Sequence, residues 1–193
     1  MMKKEPIILA SKSPRRRELF SLMTDEYECI DSGADENCAD RSDGGKKLSL
    51  ELAQLKCAAV ARQYPNRTVV GCDTVVQLDD GEIFGKPHSR DEALHMLHRL
   101  SGATHSVFTG VYITCADGRT SSLSCETRVS FYPISDDEIC AYVDTEEPYD
   151  KAGGYGAQGV AARFISGIEG DFFNAVGLPV SKIYRELMRL DVL

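Results

Sequence analysis

The chain has 193 residues, 42% of them hydrophobic and 27% charged, which suits one domain, or two small lobes sharing a sheet, with a real core. A formal net charge of −8 argues against nucleic acid or an anionic membrane as bulk partner, and no apolar run is long enough to cross a bilayer. The seven cysteines (29, 38, 57, 72, 115, 125 and 140) form no CxxC pair or zinc-type spacing, and nothing at the start resembles a secretory signal, so the expectation is a cytoplasmic protein with reduced thiols.

In chain order, residues 7–10 read as a short buried strand that feeds a helix starting near Pro14, with Ser13 as its N-cap. Residues 31–45 are acidic and rich in small residues, and predict a loop. Leu48, Leu52, Leu55 and Ala59 recur at helical spacing, with Lys56 at the border of their stripe. Residues 68–76 are an apolar strand interrupted by Asp73, and Asp79-Asp80-Gly81 turns the chain into a hairpin through residue 84. Ser89 with Glu92, and Ser135 with Glu138, are capping-box pairs that open two further helices. Residues 106–114 read as a strand, and residues 125–131 alternate as a half-exposed one. The pattern predicts a strand over 160–168 and a final helix from Pro179 carrying Val180, Ile183, Leu187 and Leu190 on one face. Interleaved helices and strands, without a repeat or an obvious linker, imply an α/β layer architecture in a single domain over residues 1–193.

Four features could carry chemistry. The stretch Ser11-Lys12-Ser13-Pro14-Arg15-Arg16-Arg17-Glu18 places cations in a first helical turn that normally favours acids. Free N–H groups, hydroxyls and guanidinium forks together suit a phosphate, the alternative being a solvated basic patch. Asp73 inside a valine run is costly to bury without a partner, a metal or a job. Gly85-Lys86-Pro87 offers a lysine that the hairpin would fold back beside it. Gly154-Tyr155-Gly156-Ala157-Gln158-Gly159 matches G-x-G-x-x-G, but it neither follows a strand nor opens a helix, so it is no dinucleotide fingerprint. It remains a loop that a ligand can approach, with Gln158 able to read a base edge. Of the four histidines, His95 and His98 fall on a polar helix face, while His88 and His105 are read as turn residues near the other motifs. Within the acidic loop of Asp31, Asp35, Glu36, Asp40 and Asp43, one residue could join Asp73 around a magnesium ion.

Six blocks stand in the order found in the Maf family of nucleoside triphosphate pyrophosphatases, which the chain closely resembles over nearly its whole length. They are Leu9-Ala10-Ser11-Lys12-Ser13-Pro14-Arg15-Arg16, Gly71-Cys72-Asp73-Thr74, Gly85-Lys86-Pro87, Leu100-Ser101-Gly102 with His105, Asp150-Lys151-Ala152-Gly153, and Val176-Gly177-Leu178-Pro179. The resemblance implies an elongated mixed β-sheet with flanking helices, similar to inosine triphosphate pyrophosphatases, with two lobes around a cleft. It implies hydrolysis between the α and β phosphates, with a divalent cation, Mg²⁺ or Mn²⁺. By position, the family's polar site residues become Ser13, Arg16, Glu36, Lys56, Asp73 and Lys86, with Asp73 as proton acceptor. Members acting on dTTP and UTP resemble this chain in Arg15, Thr74 and Gln158. Departures fall at Cys72, Ala175, Gly154 and the Asn37-Cys38 that follows Glu36.

On that basis Arg16, Lys86 and the helix amides would bind the departing pyrophosphate, and Ser13 would contribute to the phosphate site. Glu36 and Asp73 would hold the metal, and Thr74 and Gln158 would read a pyrimidine. Lys56 either binds phosphate or orients the carboxylates. The partner implied is a pyrimidine nucleoside triphosphate, not nucleic acid or membrane, and the family suggests a homodimer. The competing classes are a nucleotide-binding regulator of septum formation without turnover and a phosphatase removing only the terminal phosphate.

Overall fold

A computed structural model describes residues 5–36, 39 and 42–193. Residues 37, 38 and 40, named above, lie outside the described residues. The elements are β1 (Ile7–Ala10), α1 (Pro14–Ser21), β2 (Tyr27–Ile30), α2 (Gly45–Ala61), β3 (Val69–Leu78), β4 (Ile83–Phe84), α3 (Arg90–Leu100), β5 (Thr104–Thr114), β6 (Thr120–Phe131), α4 (Asp136–Val143), β7 (Ile165–Gly170), α5 (Phe172–Val176) and α6 (Val180–Arg189). Three short 3₁₀ turns, Glu147–Asp150, Ala152–Gly154 and Val160–Phe164, lie between α4 and β7. The strands form one seven-stranded mixed sheet, ordered β2-β1-β3-β5-β6-β7, with β4 beside the outer part of β3. β1 runs parallel to β2 and β3, and the remaining pairs are antiparallel.

β3 organises the molecule. Its residues alternate between two covered faces, so it is apolar almost throughout. Val69, Gly71, Asp73 and Val75 face α2, while Val70, Cys72, Val76 and Leu78 face the cores built by the other helices. On the second face, Val70 and Cys72 pack with Leu19, Phe20, Ile183 and Leu187, whereas Val76 and Leu78 pack with Leu97, Leu100 and Tyr142. Asp73 and Thr74 stand where the apolar packing breaks on both faces. The strand's edge is open there too, since β1 pairs no farther than Gly71 and the pairing with β4 starts only at Val76. This gap in the middle of the sheet is where the cleft forms.

α2 lies unusually close to the sheet. A Cβ on Gly71 would collide with the Ala53 carbonyl, and one on Gly110 with the Ser49 backbone. Gly110 is the cross-strand partner of Asp73. The helix starts without a side-chain cap of its own, and its Gly45 N–H is satisfied instead by Gln77 Oε1 at 2.9 Å.

Several expectations require correction. Residues 160–168 do not form one strand: Val160–Phe164 is a 3₁₀ turn and β7 begins at Ile165. The Ser89 pair is half a capping box, because Glu92 Oε2 accepts from the His88 N–H rather than from Ser89. The Ser135 and Glu138 pair is reciprocal, as expected. His105 lies within β5, fully buried, not in a turn.

His105 is packed edge-on against Phe131 and Tyr155, and its Nε2 is 2.7 Å from the Tyr155 hydroxyl. Burial, reinforced by the Arg128 charge, lowers its pKa to about 4. The neutral ring is the folded form, so the unfolded chain binds more protons between the ordinary histidine value and about pH 4. Stability is therefore complete above pH 6.5 and falls as pH drops through that window, by at most about 3 kcal/mol from this residue. The His105 ring resonances will stay fixed from pH 8 to 5 in a nuclear magnetic resonance titration; a midpoint near 6.5 would contradict this burial.

Candidate active site

Ser13, Arg15, Arg16, Glu36, Lys56, Asp73, Thr74, Lys86 and Gln158 all line one cleft of about 510 Å³, a size that accommodates a nucleotide. A smaller hollow of about 360 Å³, reached past Ser13, Arg16, Lys56 and Lys86, extends along the loop after β1 to Lys12 and Asp31. The position agrees with the general rule that open α/β sheets bind ligands beyond the carboxyl ends of parallel strands. Here the end of β1 delivers Ser11 to Ser13, and α1 starts beside the open edge of β3.

The acidic centre is held by Lys56. Its Nζ lies 2.5 Å from Asp73 Oδ1 and 2.9 Å from Glu36 Oε1, bridging the two carboxylates. The Lys56 and Asp73 side chains are only 12% and 10% exposed, whereas Glu36 is half open to solvent. The close approach of α2 over Gly71 and Gly110 brings the amine to this point. Lys56 thus sits between the two carboxylates.

Arg16 is committed to the protein. Its Nε donates to the Gly177 carbonyl at 3.0 Å, one terminal nitrogen to the Cys72 carbonyl at 2.9 Å, and the other to Thr74 Oγ1 at 2.9 Å. Three of its five N–H donors are therefore spent on fixing the free edge of β3 on either side of Asp73. Thr74 Oγ1 in turn shares a 2.9 Å hydrogen bond with Thr109 Oγ1. A hydroxyl so engaged has little left to offer a base edge.

Arg15 and Lys12 also find partners. Arg15 donates to Asp150 Oδ2 at 2.6 Å and to the Asp150 carbonyl at 3.0 Å, reaching from α1 to the 3₁₀ segment that carries the glycine-rich loop. Lys12 pairs with Asp31 at 2.7 Å. Ser13 caps α1, its Oγ accepting from the Arg16 N–H at 3.4 Å. Part of the positive charge that looked unneutralised in the sequence is thus answered from distant segments.

Lys86 follows β4 and extends into the opening of the cleft. Its surroundings desolvate the ammonium, and the Lys56 and Arg16 charges repel it, so its pKa lies below the ordinary lysine value. A polyanion arriving here would relieve that repulsion. Cys72, on the opposite face from Asp73, is fully buried and its thiol is pushed up to about 12, mainly by desolvation, so it is not a nucleophile. Sequence reasoning missed Lys151. Lys151 lines the cleft, and its Nζ reaches Asp150 Oδ1 at 2.6 Å and the Glu147 carbonyl at 2.7 Å. A cation placed within the Asp150-Lys151 block was the available signal.

For a divalent cation, the residues fit a site completed by substrate. Among the described residues no three His, Cys, Asp or Glu side chains are grouped to hold a metal alone. Asp73 and Glu36 supply two hard oxygen donors already held on one cation. Magnesium is commonly bound through one or two carboxylates plus substrate phosphates, which matches this donor set.

Comparison with known proteins agrees with the geometry. Relatives called dTTP/UTP pyrophosphatase include one from Bacillus velezensis, 45% identical over 191 residues, covering 96% of this chain and 97% of that protein. Another, from a Geobacillus species, is 45% identical over 184 residues, covering 95% and 97%. Among solved structures, the Ham1 protein of Staphylococcus aureus aligns with a TM-score of 0.54 at 14% identity, over 96% of this chain and 99% of that one. A HAM1 protein from Coxiella burnetii aligns with a TM-score of 0.55 at 13% identity, over 95% and 98%. These two likenesses establish the fold type. The family model described as Maf-like protein matches residues 6–190, and the chain belongs to that family.

Proposed function

We propose that the chain is a nucleoside triphosphate pyrophosphatase acting on dTTP and UTP, cleaving between the α and β phosphates to give the monophosphate and pyrophosphate. The observation that carries this reading is the pair of carboxylates, Asp73 and Glu36, held by one lysine at the centre of a cleft lined with cations. The names of the relatives at 45% identity supply the substrate class. Without a cation, two carboxylates would repel a triphosphate; with Lys56 and a metal they can hold one.

In the mechanism, Asp73 accepts the proton of the water that attacks the α-phosphorus. Lys56 keeps its hold on Oδ1, which leaves Oδ2 to take the proton. A bound Mg²⁺ or Mn²⁺, held by Glu36 and, directly or through water, by Asp73, would supply charge neutralisation and polarise the phosphoryl oxygen. Lys86, the two unspent N–H groups of Arg16 and the N-terminal amides of α1 face the leaving pyrophosphate and stabilise its growing charge. Ser13 places its hydroxyl at the same helix end. Arg15 acts through Asp150 on the opposite wall, and Gln158 reads the pyrimidine edge from the exposed loop.

Product analysis with a panel of triphosphates and Mg²⁺ or Mn²⁺ tests the proposal. Pyrophosphate and monophosphate from dTTP and UTP are expected. Orthophosphate and a diphosphate would instead indicate a terminal phosphatase, and binding without turnover in either metal would favour a regulator.

Lys86 supplies a pH signature. Because its pKa is lowered, the ammonium is lost at a lower pH than for an ordinary lysine, and kcat/KM for UTP falls on the alkaline side. Bound triphosphate restores the proton, so the corresponding limb in kcat lies at higher pH. Lys86→Met is expected to raise KM by roughly 10–100-fold and abolish the displacement between the two limbs. An unchanged KM would remove Lys86 from the phosphate site.

A further inference from the structure

The glycine-rich loop is shaped by its own lobe. A Cβ on Gly156 would come within 2.7 Å of Lys151 Cε, and one on Gly159 would overlap the Glu147 carboxyl group. Both glycines are therefore occupied by side chains from the preceding 3₁₀ segment, not reserved for a phosphate. Glu147 makes the tighter arrangement. Its Oε2 accepts from the Val160 N–H at 2.9 Å, and its Oε1 from the Ala161 N–H at 3.3 Å and the Tyr142 hydroxyl at 3.2 Å. One carboxylate thus caps the 3₁₀ turn after the loop and ties it back to α4. The loop is pinned at its start by the Gly153 N–H on the Gly85 carbonyl, at 2.9 Å. Between these anchors lies Gln158, exposed at the cleft.

We infer that Glu147 is a positioning residue for nucleobase selection: its carboxylate, seated on Gly159 and the Val160 and Ala161 amides, fixes the height and direction from which Gln158 meets the base. The inference rests on the base-reading role given to Gln158 above. Glu147 does not itself line the cleft. Charge-assisted hydrogen bonds to backbone amides are stronger than neutral ones, and a specificity contact depends on being held to within about half an ångström. Replacing the carboxylate by an amide presents N–H groups to N–H groups at one oxygen, so the loop shifts while the acidic centre around Asp73 remains.

The test measures UTP and GTP binding by calorimetry in an Asp73→Asn background, where nothing is consumed. Glu147→Gln is expected to reduce the UTP-over-GTP affinity ratio by roughly 10-fold, the scale of one well-placed hydrogen bond. Gln158→Ala should give a similar loss, and the double variant no more than Gln158→Ala alone, because both changes remove one interaction. Gly159→Ala displaces the same carboxylate and should reproduce the loss should Glu147→Gln fold poorly. An unchanged ratio in either loop variant, losses that multiply in the double variant, or a background with no preference between the two nucleotides would each overturn the inference. A merely structural role would lower the melting temperature and leave the ratio intact. Absence of turnover in the wild-type protein would sink the proposed function without altering these titrations.

Discussion

Asp73→Asn will bind UTP and hydrolyse it roughly 10²–10⁴-fold more slowly than the wild-type protein, the range expected on losing a positioned general base. The change is close to isosteric, and the amide oxygen can still accept from Lys56, so the fold and the α2 contact persist. What disappears is the ability to take a proton from water, while the amide oxygen remains a neutral donor for the metal beside Glu36. Lys56 keeps Glu36 as its charged partner, at 2.9 Å. The affinity for triphosphate should therefore stay within a few-fold while kcat collapses, and single-turnover kinetics beside calorimetric titration will separate the two. A variant with unchanged kcat would make Asp73 a purely structural partner of Lys56. Raised KM at constant kcat would make it a binding residue.

Gly110→Ala will damage both the fold and the site. The added Cβ would lie against the Ser49 carbonyl and the Leu50 N–H, both backbone atoms of α2, so no side-chain rotation can relieve the overlap. The helix must lift away from β3 and β5. Overpacking of this kind costs about 3 kcal/mol, which for a chain of this length lowers the melting temperature by roughly 6–12 °C. Because Gly110 is paired with Asp73 across the sheet, and Lys56 rides on the displaced helix, activity should fall further than stability. Gly167→Ala, in β7, is the control: its Cβ meets nothing within 4 Å and its backbone is outside the left-handed region. Equal melting temperatures for wild type and Gly110→Ala would contradict the close helix contact.

Much of this arrangement is legible in the sequence, for identifiable reasons. Asp73 stands out because an acid among valines on a strand covered on both faces demands a partner, and Lys56 lies at the edge of an otherwise apolar helical stripe. Ser13 and Pro14 place the start of α1 by local chemistry alone. Other features depend on contacts that no local pattern contains. Arg16 looks like a free phosphate ligand until Gly177, 161 residues away, closes its network with Cys72 and Thr74. Residues 160–164 have the composition of a strand, but the Glu147 carboxylate takes up their first amides and turns them. β2 escapes detection because its four residues are half-exposed and mixed, unlike the equally short but wholly apolar β1, and α5 because five residues are too short to establish a period. The polar start of β6 at Thr120 is recruited by its ladder with β5 rather than by its own propensity.

The central step of the proposed mechanism is the attack of water on the α-phosphorus. Hydrolysis of UTP in water enriched in heavy oxygen, with the products resolved by mass spectrometry, addresses it directly. One heavy oxygen is expected in the monophosphate and none in the pyrophosphate. Label in the pyrophosphate would place the attack on the β-phosphorus, and label in orthophosphate would place it on the γ-phosphorus; either result would contradict the mechanism.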